Sequence, residues 1–169
     1  FGANLRGLDK DEVKVAQLAG FVSDKAAYHH GEMSLVGAIV GLAQDYIGSN
    51  NINLLKPIGM FGSRLMGGKD AAAGRYIFTM LTDIGMKIFN KADDNILNRI
   101  FEEGTPIEPE YYAPIIPMIL VNGTEGIGTG FSTFIPPFNP TDIIANLYNI
   151  MNGKKFKEMK PYWKGFTGV

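Results

Sequence analysis

The first regular pattern in the chain is a stripe of apolar residues between residues 15 and 22. These residues follow the i, i+3, i+4, i+7 spacing of one buried helix face. Asp9 or Asp11 is placed to cap the N-terminus of this helix, and Gly20 is a point at which it divides into two short helices. The stripe consists of Val15, Leu18, Ala19 and Val22.

A wider apolar face predicts a second helix from about Glu32 to Ile47. Two adjoining stripes at helical spacing make the buried face broad. Gly48 ends the helix, because glycine readily adopts the conformation of a C-terminal cap. The stripes are Leu35, Ile39, Leu42 and Tyr46, and Val36, Val40, Ala43 and Ile47.

Strand-like composition follows the second helix. A turn at Ser49-Asn50-Asn51 leads into an apolar stretch from Leu54 to Met60, then a glycine-rich loop, then a predicted strand over residues 76–81. Two helices, a turn and strands in this order predict a helix-turn-helix with a wing, and therefore an α+β fold.

The last third of the chain is organised differently. Residues 114–121 combine prolines with an apolar run and predict a buried strand. Asn139-Pro140-Thr141 is typical of a helix start, and helically spaced apolar residues follow it. A second element of architecture is therefore expected to begin between residues 115 and 141.

Length and composition indicate a folded chain with one substantial core, or one domain and part of another. The chain has 169 residues, of which 46% are hydrophobic. It contains no cysteine, which excludes disulfides and thiolate metal sites, and no apolar run approaches the roughly 20 residues that span a bilayer. Because the first residue is Phe1 rather than Met, we expect an internal piece of a longer protein.

The net charge of -1 argues mildly against nucleic-acid binding, since an autonomous binder is usually strongly basic. The local balance differs. Residues 56–76 contain four cations and a single anion, Asp70, whereas residues 102–110 are acidic. One face of the protein could therefore hold phosphate, and another would repel it.

The strongest chemical signal is the segment Gly67-Gly68-Lys69-Asp70-Ala71-Ala72-Ala73-Gly74-Arg75-Tyr76. Its small residues would let a large polyanion approach the backbone, while Lys69 and Arg75 supply charge. Tyr76 supplies an oxygen that can attack phosphorus. For an arbitrary Arg-Tyr pair a core tyrosine beside a surface arginine is the ordinary interpretation, but a costly glycine-rich loop directly before the pair favours chemistry.

Several familiar motifs fail in this sequence. A Walker A loop would need glycine where Ser63 stands and a hydroxyl where Asp70 stands, and a dinucleotide fingerprint would need glycine at Phe131. His29 and His30 are adjacent and point apart on regular structure, so a zinc site at this pair is not expected. Ile127, isolated among glycines, predicts an exposed apolar wedge for stacked bases.

Five ordered motifs together resemble eukaryotic-type DNA topoisomerase II, from about Val13 to the end of the chain. Bacterial gyrase and topoisomerase IV have a His-Pro-His-Gly pattern where this chain has His29-His30-Gly31-Glu32, which favours the eukaryotic or viral branch. The motifs are Tyr28-His29-His30-Gly31-Glu32, Gly48-Ser49-Asn50-Asn51, Gly67-Gly68-Lys69-Asp70, Arg75-Tyr76 and Asn122-Gly123-Thr124-Glu125-Gly126-Ile127-Gly128-Thr129-Gly130.

The resemblance implies residue roles. Tyr76 attacks a DNA phosphodiester and becomes joined to the 5′ phosphate, Arg75 stabilises charge on the phosphorus oxygens, and His30 lies near the reacting phosphate. Ile127 inserts between base pairs and bends the duplex. The residues expected to contact DNA are Lys69, Arg64, His29, Ile127, Asn122 and Thr129.

The resemblance also implies an organisation. Residues 1–115 form a winged-helix domain with the active-site tyrosine, and residues 116–169 begin an α/β tower domain. Double-stranded DNA is the partner, the full-length enzyme is a homodimer, and Mg²⁺ and ATP bind to domains outside this chain. This chain is expected to hold no metal, to have no membrane partner and to be inactive alone. The expected location is the nucleus, or a viral replication site.

Two other classes of function stay open. A winged-helix DNA-binding module without catalysis would bind DNA and form no covalent adduct. An enzyme acting on a small phosphate compound would have a mononucleotide-sized pocket, whereas duplex binding predicts an open basic groove and salt-sensitive affinity.

Overall fold

The computed structural model describes residues 1–26, 28 and 30–168, whose contacts divide the chain into two compact units. The N-terminal unit comprises Phe1–Gln44 and Asn53–Ile115, and the C-terminal unit comprises Asp45–Ile52 and Ile116–Val169. The sequence analysis did not assign residues 45–52 to the second unit. Identification of the two units as a winged helix and a tower stays a prediction.

The N-terminal unit contains short helices and two-stranded antiparallel sheets. Its elements are α1 (Gly2–Arg6), β1 (Val13–Lys14), α2 (Val15–Lys25), α3 (Glu32–Ala43), β2 (Phe78–Thr79), α4 (Asp83–Ile88), a 3-10 helix (Lys91–Asn95), β3 (Arg99–Glu102) and β4 (Thr105–Pro109). Strand β1 pairs with β2, and β3 pairs with β4. The core lies where α2 and α3 pack, and it includes the fully buried Leu18 and Ala19.

Helix α2 begins at Val15, but neither predicted aspartate caps it. The backbone amides of Val15 and Ala16 donate instead to the carbonyls of Ile77 and Gly74, each at 3.0 Å. These carbonyls satisfy amide groups that are otherwise unpaired in the first turn of a helix. The prediction that Gly20 divides the helix is also wrong, because the helix is continuous to Lys25.

Helix α3 begins at Glu32 as predicted but ends at Ala43 rather than Ile47. Gln44 has an extended ψ of 133°, and the following residues belong to the C-terminal unit. The apolar periodicity at Tyr46 and Ile47 therefore reflects packing in that unit rather than continuation of the helix.

The predicted strand over residues 76–81 is shorter in the structure. Only Phe78–Thr79 forms a strand, with Val13 opposite Thr79 and Lys14 opposite Phe78. Thr79 is fully buried, and its hydroxyl donates to the Lys56 carbonyl at 2.9 Å. Tyr76 precedes the strand and lies in a turn.

The C-terminal unit consists of helix α5 (Met118–Val121), the hairpin of β5 (Thr124–Gly128) and β6 (Phe131–Ile135), and helix α6 (Pro140–Met151). The predicted strand at 114–121 is wrong, because Pro117 starts a helical turn and its carbonyl accepts from the amides of Leu120 and Val121. The predicted start of α6 is confirmed: the Asn139 side chain accepts from the Thr141 amide at 3.0 Å.

Asn51 is a buried hydrogen-bonding centre of the C-terminal unit. Its Nδ2 donates to the carbonyls of Val121 and Tyr162, both at 2.9 Å, and to that of Phe138 at 3.3 Å. Its Oδ1 accepts from the Lys164 amide at 2.7 Å. One side chain thereby connects the backbone at four separate points of this unit.

Among the described ranges, no helix combines the length and hydrophobicity that crossing a bilayer requires.

Candidate functional site

The segment around Tyr76 forms a tight turn at the N-terminus of α2. The Tyr76 amide donates to the Ala73 carbonyl at 2.8 Å, and the carbonyls of Gly74 and Ile77 accept the first two amides of α2. Ile77 is buried, whereas 66% of the Tyr76 side chain is exposed. The backbone is therefore held on both sides of a phenol that faces solvent.

Gly74 fits the turn closely against α2 and α3. A Cβ atom built at this residue would lie 3.2 Å from the Val36 Cγ1 and 3.3 Å from the Ala16 amide nitrogen. A larger side chain would push the turn away from both helices. Small size at this position therefore sets where the tyrosine turn lies.

The Arg75 guanidinium lies over the Tyr76 ring, with its Cζ atom 4.8 Å from the ring centroid. This is within the distance at which a cation is attracted to the face of an aromatic ring. Both side chains are exposed, so an anion could approach the phenolic oxygen and the guanidinium together. Five N–H donors make arginine well suited to bind phosphate oxygens.

The glycine-rich loop before the turn is closed by Ser63 and Asp70. The Asp70 carboxylate accepts from the Ser63 amide at 2.8 Å and from its hydroxyl at 2.7 Å. The hydroxyl bond, followed by the amide bond, lowers the pKa of Asp70 below its ordinary value. Asp70 therefore holds the loop closed, a role that its motif did not indicate.

Two further contacts hold this loop against the end of α3. A Cβ atom at Gly62, where φ is +100°, would lie 2.6 Å from the Gly68 Cα, so the two backbone segments touch. The Gln44 Nε2 donates to the Phe61 carbonyl at 2.9 Å and to the Gly68 carbonyl at 3.4 Å. Glycine is required at 62 for both conformation and space.

Arg64 and Lys69 lie in the turn that these contacts close, and both are exposed. Loop and tyrosine turn together line one side of an open cavity of about 580 Å³ whose other side is α3. Its lining is mainly glycine, alanine and valine, with Arg75 as its cation and Glu32 as its anion. A lining with so few polar groups does not resemble a pocket that orients a small phosphate compound.

Of the two candidate histidines, His29 lies outside the described residues. His30 is exposed just before α3, and its ring meets the Tyr28 ring edge to face, with centroids 5.4 Å apart. The Tyr28 hydroxyl donates to the Ser34 hydroxyl oxygen at 3.1 Å, which ties this stretch to the first turn of α3.

The candidates in the C-terminal unit divide into exposed and structural residues. Ile127 lies on β5 opposite Ser132 with 89% of its side chain exposed, and Thr129 is in the turn that joins β5 to β6. Asn122 is bonded to both backbone groups of Ile52: its Oδ1 accepts the amide at 2.9 Å and its Nδ2 donates to the carbonyl at 2.8 Å. A structural role for Asn122 is therefore evident, and its DNA contact stays a prediction.

The sequence reasoning did not identify the residues that hold the candidate site in place. Gln44, Ser63, Asp70 and Gly62 position the loop through contacts between residues that are distant in the sequence or lack a motif. A glycine pair around a Ser and an Asp was the available signal, and it indicated only flexibility.

Comparison with known proteins gives a consistent result. A family model described as DNA gyrase/topoisomerase IV matches residues 1–169. The DNA topoisomerase 2 of Candida albicans is 57% identical over 159 residues, which cover 94% of this chain and 11% of that protein. The DNA topoisomerase 2 of Acanthamoeba polyphaga mimivirus is 55% identical over 169 residues, which cover 100% of this chain and 13% of that protein.

A solved structure has nearly the same fold. The crystal structure of the Plasmodium falciparum topoisomerase II DNA-binding, cleavage and re-ligation domain matches with a TM-score of 0.97 and 53% identity. The match covers 100% of this chain and 23% of that one. The chain thus spans about a tenth of the length of the curated relatives that it matches.

Proposed function

This chain belongs to the DNA gyrase/topoisomerase IV family, and we propose that it is the DNA-cleaving part of an ATP-dependent type II DNA topoisomerase, an isomerase. In that enzyme Tyr76 opens a duplex through a transient 5′-phosphotyrosyl linkage while a second duplex passes, which changes supercoiling and decatenates DNA. The observation that carries the proposal is the exposed Tyr76 phenol beside the Arg75 guanidinium, on a backbone turn held by α2.

The proposed step is attack of the Tyr76 phenolic oxygen on the phosphorus of a DNA phosphodiester. A bond forms between that oxygen and phosphorus, and the bond from phosphorus to the 3′ oxygen breaks. The phenol loses its proton, and the leaving 3′ oxygen gains one. Because the phosphoester is kept on the protein, the 3′ hydroxyl can attack it in the reverse direction and reseal the strand.

Arg75 is proposed to stabilise the negative charge that develops on the phosphorus oxygens. Its contact with the Tyr76 ring already holds the guanidinium beside the nucleophile, so little rearrangement is needed when phosphate arrives. Loss of one positioned charge-stabilising donor costs ~3 kcal/mol, about a hundredfold in rate. Arg75→Ala is expected to lose about that much.

Backbone phosphates are proposed to lie along the open surface of small residues beside the tyrosine turn. Lys69 and Arg64 project from the loop that borders this surface and would bind phosphates there. His29, His30 and Thr129 complete the proposed DNA contacts. Asn122 would act through the hairpin it anchors, because both ends of its amide are bonded to Ile52.

Ile127 is proposed to insert between base pairs and bend the duplex. Its 89% exposure on a hairpin is hard to explain by packing within the chain, and unstacking one base step costs only a few kcal/mol. Ile127→Ala should reduce the bend measured by energy transfer between dyes at the duplex ends, whereas Ile127→Leu should keep most of it. An unchanged bend in Ile127→Ala would contradict this role.

The chain's own residues do not fit a magnesium site. In the described part of the chain, no three His, Cys, Asp or Glu residues are grouped as metal ligands, and the Asp70 carboxylate is bonded to Ser63. We therefore propose that Mg²⁺ and ATP bind elsewhere in the full-length enzyme and that this chain alone is inactive.

The finer architecture and biological setting are also proposals. Residues 1–115 would form the winged helix and residues 116–169 the beginning of the tower, in a homodimeric enzyme acting on double-stranded DNA. Relatives in fungi and in a virus favour the nucleus, or a viral replication site, as the location.

The decisive experiment is covalent trapping on DNA. The full-length protein is mixed with duplex DNA and Mg²⁺, quenched with detergent, and assayed for protein attached to a 5′ end. Tyr76→Phe should abolish the adduct. Tyr111→Phe is the matched control, because it removes a hydroxyl from a side chain of similar exposure, 62% against 66%, and should keep the adduct.

Other outcomes would refute the proposal in distinct ways. Salt-sensitive DNA binding without an adduct, from a folded protein, would identify a non-catalytic winged-helix module. An adduct that persists in Tyr76→Phe would assign the nucleophile to another residue.

A further inference from the structure

The C-terminal unit carries a concentrated positive segment that the proposed site does not use. All five of its cations lie between residues 154 and 164, with Glu158 as the anion in that interval. Four of them, Lys154, Lys155, Lys157 and Lys160, are exposed and follow the end of α6. We call these four residues the lysine strip.

The backbone of the lysine strip is held in place. The buried Asn146 side chain clamps Lys157 at both backbone groups: its Nδ2 donates to the carbonyl and its Oδ1 accepts the amide, each at 2.8 Å. The Lys154 amide donates to the Asn149 carbonyl at 2.8 Å. Only backbone atoms of the strip are used in these bonds, so the ammonium groups stay available.

The far end of the strip is anchored as well. Pro161 pairs with Phe138, and the Tyr162 amide donates to the Pro137 carbonyl at 2.8 Å. Both partners follow the β5–β6 hairpin that carries Ile127. The strip is therefore a fixed part of the same unit as the proposed wedge.

Contacts within the chain do not account for the charge of the strip. Within the described ranges, none of these lysines forms an ion pair with a carboxylate. The dipole of α6 favours cations only within about its last turn, which leaves Lys157 and Lys160 unexplained. Exposed like charges this close repel each other unless an anion shares them.

We propose that the lysine strip binds the phosphate backbone of duplex DNA, as a contact separate from Tyr76. Six residues separate its ends, so it spans at most about 20 Å, enough for several phosphates at ~3.4 Å per nucleotide along one strand. Lysines act as point charges on phosphate and read no base sequence. This inference rests on the proposed function, since it takes DNA as the ligand.

The test compares two triple variants of the full-length protein on a fluorescent duplex of about 40 base pairs, long enough for several phosphate contacts. Lys154→Ala/Lys155→Ala/Lys157→Ala removes three charges from the strip. Lys10→Ala/Lys87→Ala/Lys91→Ala removes three exposed charges from the other unit and is the matched control. Affinity is measured as a function of salt concentration.

The strip variant should lower the slope of log affinity against log salt by about 3, because each phosphate contact contributes ~0.9. Its deficit relative to the unchanged protein should therefore shrink roughly 40-fold between about 50 and 200 mM salt. The loss should be equal on two unrelated DNA sequences. The control variant should leave the slope within about one unit of the starting value.

Two results would overturn the inference. An unchanged slope in the strip variant would assign the strip to another partner, such as an acidic protein segment. An equal fall in both variants would show that net charge, not this strip, sets the affinity. The Tyr76 adduct, assayed on the unchanged protein from the same preparation, reports separately on the proposed cleavage.

Discussion

The substitution Asn51→Asp should destabilise the C-terminal unit far more than its small chemical change suggests. It replaces an NH₂ group by an oxygen of similar size. In the structure that NH₂ group faces three carbonyls, those of Val121, Tyr162 and Phe138. The new oxygen cannot donate to any of them, and it brings negative charge to a residue that is 6% exposed.

The magnitude follows from the bonds lost. Two full hydrogen bonds, to Val121 and Tyr162, contribute about 1 kcal/mol each, and leaving the buried carbonyls unpaired adds to the loss. The carboxylate keeps the Lys164 amide as a donor, which limits the penalty. A loss of at least ~3 kcal/mol results, or roughly a 150-fold rise in the population of the open form.

Hydrogen exchange measured by mass spectrometry suits this prediction, because it reports opening of one region within a large protein. Peptides covering residues 45–52 and 160–166 should exchange on the order of 100 times faster in Asn51→Asp. Asn139→Asp is the control. Its Oδ1 accepts from the Thr141 amide at the start of α6, which a carboxylate does equally well.

Equal exchange rates in the two variants would refute the reasoning. That result would mean that the four bonds of Asn51 contribute no more than a single exposed cap. Faster exchange in Asn139→Asp alone would reverse the assignment of the structural centre.

Two further predictions concern the glycine-rich loop. Gly62→Ala should lower stability by roughly 3 kcal/mol, because its Cβ would strike the Gly68 backbone, whereas Gly67→Ala, with open space around it, should cost only about 1 kcal/mol for its positive φ; equal melting temperatures would contradict this. The pKa of Asp70 is depressed in the folded protein, so its contribution to stability is present above the unfolded pKa and is lost as pH falls through the lower folded pKa. Ser63→Ala should raise the Asp70 pKa in a carboxyl NMR titration, and no rise would show that the hydroxyl bond is not its main cause.

Local patterns in the sequence predicted the elements that depend on neighbouring residues. The start of α6 was predictable because Asn139 and Pro140 act within one helical turn. The start of α3 and the buried face of α2 followed from spacing alone. At residues 114–121 the same approach failed, since a short apolar run does not distinguish a strand from a single helical turn.

The order of residues was enough to identify the family and the candidate nucleophile, because motifs such as Arg75-Tyr76 are short strings that can be read without coordinates. How those residues are held depends on packing between distant segments. The carbonyls that begin α2 come from Gly74 and Ile77, about 60 residues along the chain, and the partners of Asn51 lie 70 to 113 residues away. Such bonds form only when distant segments pack, and no periodicity or capping motif encodes that meeting.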